Sequence, residues 1–156
     1  MSITFTREAR IHWNKKHEVI YHTLRERGIF PQNSHILMFC ASLGFKHSRK
    51  KELVGDTNDI RLSTFSKDEM VAYVTIAFSK VGLQLDKLDK IEEFKNIIEE
   101  YAEGGMEVFI EEFLEPYLIP NKDGSYILAI KGGGASDFEK DLLVFIYEES
   151  QNNDIF

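Results

Sequence analysis

A chain of 156 residues that is 43% hydrophobic, with 12 phenylalanines, has enough apolar side chains for one domain without metal or disulfide support. Its single cysteine, Cys40, excludes an intramolecular bridge, and a formal charge of −7 excludes a general polyanion binder, whose affinity comes from clustered Lys and Arg. The opening MSITFTREAR carries charges where a secretory signal needs an apolar stretch, and no run of apolar residues is long enough to span a bilayer. A cytoplasmic protein is expected.

The charge is unevenly spread. Residues 1–67 hold 12 Lys/Arg against 6 Asp/Glu, whereas residues 68–156 hold 7 against 20. A chain with one basic and one acidic part is suited to local nucleic-acid contact or to docking a charged partner.

In chain order, residues 1–12 are ambiguous and peripheral, with Ile3 and Phe5 alternating as in a short edge strand. A helix is predicted over about 14–27, with Val19, Ile20 and Leu24 on one face and Gly28 and Pro31 ending it. Ser34 is placed to cap a second helix over 35–45. Ile36, Leu37, Phe39, Cys40 and Leu43 surround that helix, the pattern of a buried element with a buried thiol. Gly55 to Asp59 reads as a loop and Ile60 to Phe65 as a short extended segment.

Ser66 and Glu69 form a capping box that opens a helix over about 67–81, although its β-branched content leaves a strand reading open. Two apolar stripes follow at helical spacing: Ile91, Phe94, Ile97, Ile98, Tyr101, then Met106, Phe109, Ile110, Phe113, Leu114, Tyr117. Gly104-Gly105 between them either kinks one helix or turns an αα-hairpin. The hairpin is preferred, because two glycines cost a helix interior about 2 kcal/mol relative to alanine. Pro116, Pro120 and Asn121 to Gly124 close this region, and Tyr126 to Ile130 is undecided between strand and helix. A flexible Gly132–Gly134 joint and a second capping box, Ser136 and Glu139, lead into a last helix over 137–149, with residues 150–156 frayed. The expected architecture is a single, mainly α domain, a compact bundle of five to six helices with a minor short β element.

No motif points to catalysis. His12, His17 and His22 recur every five residues, roughly 140° apart on a helical wheel, so they do not make the i, i+4 pair of a metal site. Lys131 to Ser136 lacks the order of a phosphate-binding P-loop, and neither a metal nor a cofactor is expected. The run from Asp86 to Glu115 holds eleven carboxylates against three lysines. Glu107, Glu111, Glu112 and Glu115 interleave with the apolar stripe, which suits a solvated face or an acidic surface for a basic partner. Lys46, His47, Arg49, Lys50 and Lys51, with Arg61 downstream, form a basic segment suited to phosphates or carboxylates.

These last residues also carry a family resemblance. Phe39 to Lys50 resembles the "ALGFKHGR" segment of small bacterial proteins associated with DNA phosphorothioation. An "IR..F" element (Ile60, Arg61, Phe65), the helix from Met70 to Gly82, and an "EEYANGGLE"-like stretch from Glu99 to Glu107 follow in the same order over about 17–115. Serine stands at position 48 where the pattern has glycine, and glutamate at 103 where it has asparagine. The resemblance implies a role in bacterial defence against foreign DNA, beside DNA sulfur modification and the restriction systems that read it, and implies no reaction. The leading expectation is a non-enzymatic accessory protein working through protein contacts with a DNA-modification or restriction complex. A small module binding DNA through residues 46–51 is the alternative. A nuclease would need a D-x-n-E-x-K pattern on paired strands, which the sequence does not show. Self-association fits either expectation.

Overall fold

The computed structural model describes residues 9–69, 71–72, 91–130 and 137–151. The fold is mainly α with two small antiparallel sheets. Strand β1 (Arg10–Asn14) pairs with β2 (Thr57–Arg61), with Ile11 opposite Ile60 and Trp13 opposite Asn58. Alternation turns Ile11 and Trp13 inward. Residues 10–12 are thus not peripheral, since Ile11 is fully buried; the Ile3 and Phe5 positions lie outside the described residues. The extended segment expected at 60–65 starts earlier, at Thr57, and gives way to a 3₁₀ turn over Leu62–Thr64.

Asn14 accepts a hydrogen bond from the Lys16 amide and caps a 3₁₀ turn (Lys15–His17) that runs into helix α1 (Glu18–Glu26). Ile20, Tyr21 and Leu24 face the core while Val19 is exposed, so the inward face is rotated by one residue from that expected. Tyr21 stacks on Trp13 with ring centroids 3.8 Å apart. Gly28, at φ +78°, ends the element.

Helix α2 (Asn33–Lys46) is buried on most sides, as its all-round apolar pattern requires, and Cys40 is a fully buried free thiol. Burial pushes that thiol far above its ordinary range, and Glu103 nearby adds to the shift. Ser34 is not the cap. The helix starts two residues earlier than expected, at Asn33, and the Ser34 hydroxyl donates to Gln32 Oε1. The Ser66–Glu69 capping box is present with both reciprocal hydrogen bonds, 2.9 and 3.1 Å. The helix it opens is described only at 67–69 and 71–72, so its length and the strand alternative lie outside the described residues.

The preferred hairpin at Gly104-Gly105 does not form. Helix α3 (Ile91–Phe109) runs straight through both glycines and continues as one π-turn, Ile110–Leu114. The reason is contact between backbones. A Cβ on Gly105 would lie 1.6 Å from the Cys40 carbonyl oxygen, and one on Gly44 of α2 would lie 2.0 Å from that of Tyr101. The propensity cost is therefore accepted because only glycine lets α2 and α3 approach this closely.

Beyond Pro116, strands β3 (Leu118–Pro120) and β4 (Tyr126–Leu128) form a hairpin around a turn in which Gly124 has φ +89°, which settles the segment at 126 as strand. The last helix, α4 (Asp137–Gln151), packs Phe138 and Phe145 among Phe109, Phe113 and Tyr117. The Gly132–Gly134 joint and the Ser136 cap fall outside the described residues.

Intrinsic propensity and packing predict opposite signs for Gly105→Ala. Helix propensity alone favours alanine by about 1 kcal/mol, whereas the clash with Cys40 forces two backbones apart. We expect a loss of about 3 kcal/mol in chemical denaturation, the upper part of the range for overpacking. A variant as stable as the parent would refute the close contact.

Candidate functional site

The basic segment begins as the end of α2. The Ser48 amide donates to Phe45 O and the Arg49 amide to Gly44 O, 3.1 and 2.8 Å, which is a Schellman termination. Its left-handed position falls on Ser48, φ +52°, the residue that stands where the family pattern has glycine. The chain then turns back across α3. Lys51 donates its amide to Glu100 O, and the Arg49 carbonyl lies where a Cβ on Gly104 would be, 2.1 Å away.

This path lays the cations on the acidic helix. Arg49 reaches Glu107 and Glu111, at 3.3 and 2.7 Å, and Lys51 reaches Glu107 at 2.8 Å. Lys46 and His47 both meet Glu149 of α4, at 2.6 and 3.1 Å. Lys50 sits 6.0 Å from the Tyr101 ring centroid. Arg61 is exposed on β2, away from this group, and Glu112 and Glu115 are exposed on the π-turn and just beyond it. The structure thus brings Lys46, His47, Arg49 and Lys51 onto carboxylates of the same chain, and it pairs Glu107 and Glu111 with them.

Two further members of the array come from histidines. Glu99, Glu103 and Glu107 of α3 and Glu111 of the π-turn recur every four residues and line one face. Glu99 accepts from the His12 amide at 2.6 Å and faces His12 Nδ1 at 2.8 Å; Glu103 meets His17 Nε2 at 2.9 Å. His17 and Glu103 are almost completely buried. Sequence reasoning set the histidines against one another as metal ligands and so missed this pairing. The four-residue carboxylate spacing was the available signal, but its partners lie more than 80 residues away. Trp13 Nε1, His17 Nδ1 and Glu103 Oε2 are buried with no hydrogen-bond partner among the described residues, and their residues border one cavity of about 10 Å³, near the size that one water molecule fills.

The charges shift one another accordingly. Burial pushes Glu103 upward, but the His17 hydrogen bond and charge, with Asn14 and Lys16, outweigh it and hold the carboxyl below its ordinary range. Glu107 is lowered by its hydrogen bond from Lys51, against a little burial. Glu149 is lowered by Lys46 and His47 in spite of burial. Arg49 and Lys51 are raised, chiefly by their hydrogen bonds to Glu111 and Glu107.

Comparison with known proteins supplies one finding. A sequence model of the family described as DNA sulphur modification system-associated protein 4 matches residues 10–122. That span runs from β1 through the basic segment and α3 into the β3–β4 turn. No curated protein and no solved structure matches.

Two outcomes follow from this geometry. Glycine at position 48 removes the strain of a left-handed serine, so Ser48→Gly raises stability by about 1 kcal/mol, read as a higher urea midpoint. A carboxyl held low in the folded state stabilises fully above its unfolded value, near pH 4.5, and the gain is lost as pH falls through the lower folded value. Glu103→Gln therefore costs about 1–3 kcal/mol at pH 7 and flattens the acid limb of the stability curve. An unchanged acid limb would show that the His17–Glu103 pair is not coupled to folding.

Proposed function

Because this chain belongs to the family of DNA sulphur modification system-associated protein 4, we propose that it is a non-enzymatic accessory protein of a bacterial DNA-modification and phage-defence system, acting in the cytoplasm through protein contacts. The observation that carries this reading is the internal use of charge. Three of the cations best placed to neutralise phosphate, Lys46, Arg49 and Lys51, are each matched to a carboxylate of α3 or α4. A phosphate backbone approaching this face meets Glu107, Glu111 and Glu149 beside them, and counterion release is weak where the protein supplies the counter-charge. His12, His17 and His47 likewise face glutamates, so the side chains most suited to acid–base work serve as fold contacts.

In this reading the basic segment is a strap that holds α2, α3 and α4 together. Lys50, Arg61, Glu112 and Glu115, singled out with the basic and acidic segments, take part in none of the ion pairs found among the described residues, and they are offered to protein partners of the modification or restriction complex.

The test is a pull-down of tagged protein from its native bacterium with and without nuclease, read by mass spectrometry, beside a DNA-binding titration over a range of salt. Modification or restriction proteins that survive nuclease support the reading. Partners lost with nuclease, together with steeply salt-dependent DNA binding abolished by Arg49→Glu and Lys50→Glu, would replace it with a DNA-binding module.

A further inference from the structure

We propose that the outer face of α4 is a docking surface for an amphipathic helix of a partner protein, one that carries Lys or Arg beside an apolar stripe. The inference deepens the protein-contact reading above and rests on it. Helix α4 is apolar on two sides. Phe138, Leu142, Phe145 and Ile146 are turned toward the core, while Leu143, Val144 and Tyr147 are 58%, 53% and 63% exposed.

That orientation is pinned at both ends. Arg27 binds Glu139 near the start of the helix through two guanidinium nitrogens, and Lys46 with His47 binds Glu149 near its end. Both glutamates lie on the inward half of the wheel at about 100° per residue. The three apolar side chains are thus held outward by ion pairs. Tyr147 is one turn from both Leu143 and Val144, so they make one patch rather than scattered exposures.

Charge selects the occupant. Asp137, Asp141 and Glu148 are exposed along one edge of the patch, with Val144 between the last two, against a single exposed lysine, Lys140. A nucleic acid or an anionic bilayer is repelled by that edge. Two copies of α4 laid face to face bring like charges together, which costs association. A helix with an apolar stripe flanked by cations satisfies both the patch and the edge.

The probe is a synthetic amphipathic helix with leucines at i, i+3, i+4 and i+7 and arginines along one flank, titrated by fluorescence anisotropy at about 150 mM salt. A second peptide has glutamate in place of every arginine. We expect the arginine peptide to bind, Leu143→Ser with Tyr147→Ser to weaken it about tenfold or more, and Asp141→Asn with Glu148→Gln to weaken it severalfold. These positions are exposed, so the variants keep the fold, checked by circular dichroism. Equal binding of the two peptides, no binding, or indifference to the substitutions overturns the surface. So does a dimer in sedimentation that Leu143→Ser with Tyr147→Ser dissolves. Native pull-down with the same double variant separates the two ideas. Partners kept by the parent and lost by the variant support the surface. Partners kept by both overturn it and leave the accessory role standing. Partners absent from both defeat the accessory role, and the peptide titration still decides the surface.

Discussion

The contact between the backbones of α2 and α3 is the constraint on which the remainder of the molecule depends. Gly44 faces the Tyr101 carbonyl and Gly105 faces that of Cys40, so the helices touch main chain to main chain rather than through side chains. At that separation the side chains on either flank are driven into one continuous core, with Ile36, Leu37, Phe94, Ile98 and Phe109 all fully buried. Dispersion and transfer terms per residue are largest in such a close-packed seam. The same closeness leaves a shelf at Gly104 on which the Arg49 backbone rests, so the basic segment is positioned by the glycines as much as by its charges.

Once the segment is seated there, the uneven charge of the chain finds its purpose inside the molecule. The basic N-terminal part supplies His12, His17, Arg49 and Lys51, and the acidic part answers with Glu99, Glu103, Glu107 and Glu111 at four-residue intervals. Exposed members of this row contribute little each, about 0–1 kcal/mol. Their value lies in register, because each partner of these glutamates comes from a different position of β1, the 3₁₀ turn or the strap. His17–Glu103 is different: the pair is buried, and removing one partner leaves the other without compensation.

The strap also connects the core to the last helix. Lys46 and His47 stand at the end of α2, and their shared partner Glu149 fixes the far end of α4, while Arg27 at the end of α1 fixes the near end. These pairs fix the rotation of α4 about its own axis from both ends. The aromatic cluster of Phe109, Phe113, Tyr117, Phe138 and Phe145 lies beneath, and it tolerates rotation less well than aliphatic packing because its rings meet at defined angles.

The mainly α character, the buried α2, the free Cys40 thiol, the Ser66–Glu69 capping box and the turn at Gly124 were all legible from residue pattern, since each depends on neighbours within a few positions. The family was legible too, through short motifs that prove to be the contact residues: Gly44, the strap from Lys46, and Glu99 to Glu107. What the sequence by itself could not decide was the course of the chain at Gly104-Gly105. Local propensity argues for a break there, and only the carbonyl of Cys40, 65 positions before Gly105, and that of Arg49 beside Gly104 explain the glycines. Nor could it decide whether the basic and acidic segments face outward as two docking surfaces or meet each other. Charge complementarity is the same quantity in both cases, and tertiary structure alone sets which partner is within reach.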